Sequence, residues 1–195
     1  MIPTLPLRLR DRLAGTILAA LHDGQARRDL AALGDAAAGA WLGRDEGSWA
    51  GPLAARARAA TSALAGSPLL PRDPDVGQAL RAAATLFEAG LYFEVHEVLE
   101  PHWVAAAGET RQALQGLIQV AVAWQHVAND NLVGARSLLV EGSARLRGLR
   151  LLGADLDPFA RTAAAAAVDA AAGRPLTPPG FPRFEPVDRL DKEEA

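Results

Sequence analysis

Apolar residues recur along the chain at three- and four-residue spacing, and no segment shows the alternating β-branched pattern of a strand. In the N-terminal third this periodicity predicts helices over 7–21, 26–42 and 52–65, punctuated by Gly24, Gly43, the Gly51-Pro52 pair, and Gly66 before Pro68. Pro68, Pro71 and Pro74 then form a stiff connector. They divide an N-terminal helical extension, 1–72, from a helical-bundle domain, 73–173. The next helix begins at Asp75, with Gln78 three residues on as capping-box partner, and closes at Gly90. Helices over 92–106, 110–128 and 132–150 follow. Asp157 reads as an N-cap with Pro158 at the first helical position, and Gly173 ends that last helix. Residues 174–195 read as a proline-rich strap and tail. The fold class is all-α, a multi-helical bundle of antiparallel hairpins.

An echo at a spacing of 40 residues supports the hairpin reading. Gly90, Val95, Val98 and Leu99 correspond to Asp130, Ala135, Leu138 and Leu139, each set following a helix and a tight turn. Two stacked hairpins satisfy it, and tetratricopeptide-like packing is one form they could take.

Composition narrows the picture. With 195 residues, 50% of them apolar and 22% charged, the chain buries a sizeable core and is not a disordered class. Abundant alanine with few aromatics points to helices packed through small side chains. The absence of cysteine excludes disulfides, thiolate metal sites and cysteine nucleophiles. The single lysine, Lys192, makes Schiff-base chemistry improbable. Residues 1–72 carry nine arginines against six acids, whereas the rest of the chain is net acidic. With a net charge of −3 overall, this gradient reads as a solvated surface, and no nucleic-acid partner is expected.

The uncharged stretch 112–129 nearly reaches membrane-spanning length. It holds Gln112, Gln115, Gln119, Gln125, His126 and Asn129, which are costly in lipid, so no membrane partner is expected. The opening residues lack the basic and apolar regions of a signal peptide, so the expected location is cytoplasmic. A homo-oligomer is compatible with all of this.

The residues able to do chemistry concentrate in two segments. At about 100° per residue, His96, Glu100 and Trp103 share one helical face, flanked by Tyr92, Phe93 and Leu99. Glu94, Glu97 and Pro101 fall on another side, expected to meet solvent, with Glu97 near the border. On the following helix Gln112, Gln115, Gln119 and His126 form a stripe opposite Leu114, Leu117, Ala121 and Trp124. If the two faces meet, buried His, Glu and Gln side chains must find partners in a hydrogen-bonded network, an ion or a ligand. His22 reads as a helix-end residue, His102 as an edge residue, and Trp41, Trp49 and Trp124 as core or interface aromatics. The chain has no phosphate-binding glycine loop, serine-nucleophile elbow or HExxH zinc motif.

At these residues the chain resembles the domain of unknown function family 309, small helical proteins of bacteria and archaea marked by HxxxExxW. Here that motif is His96, Glu100 and Trp103, and the companion segment Leu114-Gln115-Gly116-Leu117-Ile118-Gln119, then His126 and Asn131-Leu132, also follows the family pattern. The likeness spans roughly 76–150. Pro101 departs from it where members often carry a second acid, and its ring is expected to kink the helix and free the carbonyl of Glu97. The resemblance implies a multi-helical fold and a polar site on His96, Glu100 and Trp103, with no reaction attached.

Three functions stay open. One is a pocket for a small molecule or peptide segment, lined by His96, Glu100, Gln115, Gln119 and His126 and walled by Tyr92 and Trp103. A second is a metal-dependent hydrolase with a divalent ion held by His96, Glu100 and His126, and Glu97 as base. The third is an interaction module whose polar cluster only fixes helix register. Binding is preferred to catalysis because no nucleophile or oxyanion device accompanies the acid and imidazole.

Overall fold

The computed structural model describes residues 5–35 and 37–185; the expected tail over 186–195 lies outside them. Eight α-helices carry the fold: α1 (Leu7–His22), α2 (Gly24–Asp35), α3 (Ala50–Leu64), α4 (Val76–Glu88), α5 (Tyr92–Ala105), α6 (Gly108–Ala128), α7 (Leu132–Leu146) and α8 (Asp157–Ala171). Each of α4 to α8 packs chiefly on its neighbours in sequence, whereas α1, α2 and α3 form a second group that reaches α5 through α1 and α4 through α3. One continuous apolar cluster runs through both groups.

The 40-residue echo is a repeated turn. Gly90 and Asp130 both adopt positive φ, 74° and 57°. In both places the next N–H reaches five residues back, Leu91 to the Leu86 carbonyl at 2.9 Å and Asn131 to the His126 carbonyl at 3.0 Å. These are the long bonds of a Schellman C-cap, so α4–α5 and α6–α7 turn in the same way. The capping box at Asp75 and Gln78 is present as expected.

Small residues set the spacing of α6 and α7. A Cβ on Gly116 would lie 2.7 Å from Leu146 Cγ, and one on Gly142 would lie 2.9 Å from Val120 Cγ2. Neither position has room for a methyl group.

The boundaries differ from expectation in three places. The 26–42 helix stops at Asp35, and a 3₁₀ turn takes over at Ala37–Trp41. The 132–150 helix stops at Leu146, and the chain makes a small antiparallel hairpin, β1 (Arg150–Leu151) with β2 (Ala154–Asp155). Gly148, Leu152 and Gly153 take positive φ there, which helix cannot continue through. Finally, Leu156 occupies the N-cap of α8; Asp157 is the first helical residue and accepts the Gly148 N–H at 2.7 Å.

The proline connector is tied down. The Leu70 N–H donates to the Leu21 carbonyl at 2.8 Å, and Arg27 donates to the carbonyls of Ser67 at 2.7 Å and Pro68 at 3.1 Å. Farther on, the strap buries Phe181, its ring 5.1 Å from Phe87 and 5.6 Å from Phe159.

Candidate functional site

Helix α5 positions the chemistry, and its neighbours divide it into two environments. Leu91, Tyr92, Glu94, Val95 and Leu99 are buried, and the remaining turns are half-open. Glu94 is the correction to the solvent-facing expectation: it is 1% exposed. Helices α1, α3 and α4 enclose that side, which a helical wheel of α5 by itself cannot reveal. Its partner is Arg56 of α3, itself buried, whose Nη2 donates to Glu94 Oε2 at 3.2 Å. Burial dominates the guanidinium beside it and raises the Glu94 carboxyl above the usual carboxylate range. Arg56 is not among the candidate residues of the sequence, yet it leaves a signal there. It sits on the stripe Leu53, Arg56, Ala57, Ala60, Leu64, all buried, where an ionised residue needs a partner.

On the open side His96 stands between two carboxylates. Its Nδ1 is 3.0 Å from Glu97 Oε1 and its Nε2 is 3.9 Å from Glu100 Oε2. Donor atoms of the three side chains lie within 4.8 Å of one another. Phe93 flanks the imidazole with ring centroids 6.4 Å apart, and Arg10 of α1 lies over Phe93 at 4.1 Å. The three polar side chains are 30%, 32% and 47% exposed, so this is a half-open face and not the buried pocket expected. The helix runs on through Pro101 as one element.

Trp103 closes the C-terminal end of α5. Arg111 of α6 stacks over its ring at 4.5 Å, and Arg111 Nη1 donates to the carbonyls of Trp103 at 2.9 Å and Val104 at 3.1 Å. The guanidinium thus adds a donor at the C-terminal end of α5, where the Trp103 carbonyl also accepts the Ala106 N–H at 3.3 Å. The indole N–H groups of Trp103 and Trp124 are buried with no hydrogen-bond partner among the described residues.

The α6 stripe is organised separately. Gln119 donates to Glu141 at 3.1 Å and accepts from Arg145 at 3.0 Å, so it faces α7. His126 Nδ1 pairs with the Asn131 side-chain amide at 2.9 Å in the α6–α7 turn. Gln112 is exposed and Gln115 half-buried. Tyr92 lies at the other end of α5, edge-on to Phe87 at 5.1 Å, and burial raises its phenol above its ordinary value. The structure therefore brings His96 and Glu100 together with Glu97; among the described residues the ligand group that converges does not include His126.

Fold and site define an all-α protein with a histidine–carboxylate cluster on a central helix. Residues 80–138, which hold that helix and the α6–α7 turn, match the family model described as Domain of unknown function (DUF309). The family resemblance seen in the motif thus holds over this segment, about a third of the chain. Neither the curated proteins nor the solved structures contain a match. No helix among the described residues is long and apolar enough to cross a membrane.

Proposed function

We propose that the open face of α5 binds a divalent cation, and that the protein works as a binding protein through the ligand this cation holds. The observation that carries the reading is the convergence of one imidazole nitrogen and two carboxylate oxygens within 4.8 Å. One nitrogen and two oxygens suit zinc, manganese or iron(II), and three protein donors leave coordination positions for a small molecule. Pro101 adds to the donor set: it has no N–H, so the Glu97 carbonyl lacks its helical partner in the same turn. Binding is favoured over hydrolysis because Glu97, the residue a hydrolase would use as base, is itself one of the three donors that hold the ion.

Calorimetric titration of untagged, metal-stripped protein with Zn²⁺ and Mn²⁺ tests this. One ion per chain is expected, with affinity falling at least about tenfold in Glu100→Gln, as loss of a ligand requires. Heats no larger than those of a His96→Ala/Glu100→Gln variant would overturn it.

A further inference from the structure

The packing series that begins at α4 ends at α8 with a face that no other described element covers. Along the outer seam of α7 and α8 runs a groove in two contiguous parts of about 570 Å³ and 430 Å³, sharing Arg136, Val140 and Ala171. Its apolar residues are unusually bare: Val133 is 85% exposed, Val168 62% and Val140 51%. Ala144, Ala164 and Ala171 line it between the valines, so another backbone can approach closely. The length is that of α7, about 22 Å at 1.5 Å per residue, which fits a helix of four turns.

Charge selects the occupant. Arg136 and Arg147 line the groove, and among the described residues neither forms an ion pair or hydrogen bond. The neighbouring charges are engaged: Glu141 accepts from Gln119 and Ser137, Arg145 donates to Gln119, and Asp169 pairs with Arg174. Arg136 lies in the second turn of α7 and Arg147 is the residue that follows its last turn, eleven positions on, so carboxylates about three turns apart on a docked helix meet both.

We infer that the α7–α8 groove docks an acidic amphipathic helix of a partner protein, its apolar stripe on Val133, Val140 and Val168 and its carboxylates on Arg136 and Arg147. A docked helix continues the stacking order by one member and covers the bare valines. This inference is independent of the cation site on α5.

The test uses the full chain and two fluorescent peptides of about 18 residues, five turns, sharing one leucine stripe and differing only in flanking glutamates or lysines. Anisotropy titrations at low salt are expected to show the glutamate peptide binding at least about tenfold more tightly than the lysine peptide, with the margin shrinking as salt rises. Arg136→Glu/Arg147→Glu is expected to invert the preference, and Val140→Glu to abolish binding of both, each variant keeping the wild-type melting temperature because these side chains are exposed. Equal binding of the two peptides, no binding of either, or a preference that survives the double charge reversal overturns the inference. So does a concentration-dependent dimer of the free chain that Val140→Glu dissociates, because the groove then belongs to a second copy.

Discussion

Glu94 and Glu97 stand one turn apart on α5 in opposite surroundings. Glu94 is buried against Arg56, a partner from α3; Glu97 is a third exposed and holds His96, a partner from its own helix. The first contact joins two groups of helices across a dry interface, and the second shapes a surface open to solvent. Solvation decides what each can do. In the dry contact a charge without its partner is costly, so the pair fixes how α3 meets α5. In the wet one the carboxylates keep their hydration and can exchange it for an ion.

The comparison is broken most decisively at the buried end. Glu94→Ala leaves Arg56 charged and unpaired, and is expected to cost about 3–5 kcal/mol in urea unfolding. Replacing both, with Arg56→Met and Glu94→Leu, is expected to return most of that loss, since an apolar pair of similar volume needs no counter-charge. A double variant as unstable as the single one would show that packing, not charge, governs the site.

Pro101→Ala comes next and acts on the open side. It restores an N–H to the Glu97 carbonyl and is expected to raise stability by up to about 3 kcal/mol while weakening cation uptake. No change in uptake would remove the carbonyl from the donor set.

The pH dependence sharpens the contrast. Because folding raises the Glu94 carboxyl above its ordinary value, the native state holds that proton longer than the unfolded chain does. The stability this adds is full below the usual carboxylate range and is lost as pH rises through the folded value. Relative to Glu94→Gln, which does not titrate there, wild type is thus expected to lose stability as pH rises above the usual carboxylate range; a relative gain would reverse the assignment. The smallest effect belongs to Glu100→Gln, which is expected to change unfolding stability by less than about 0.5 kcal/mol. A loss comparable to that of Glu94→Ala would make the two faces alike.

What could be read from sequence follows the same division. The helices, the capping box at Asp75 and the paired turns at Gly90 and Asp130 are local, written in spacing and punctuation. The His96–Glu100 pair is local as well, being one turn of one helix. Arg56 with Glu94 joins residues 38 positions apart, and only the tertiary fold brings α3 within reach of α5. The separation of His126 and Gln119 from the α5 cluster is of that kind too. A wheel gives the face of each helix but not which neighbour the face meets, and α7 claimed both. The hairpin at 150–155 was hidden for another reason: two residues per strand are too few to show alternation.

The ties at the proline connector bear on inheritance. A gene fragment encoding residues 80–138, moved into another protein, would deliver Glu94 without Arg56 and α4 without the connector that Arg27 and Leu21 hold. Such a transplant starts with the face that Glu94 shares with the N-terminal helices uncovered. The helices before the connector and those after it are therefore expected to descend together, and recombination to be tolerated at the ends of the pair and not at its middle.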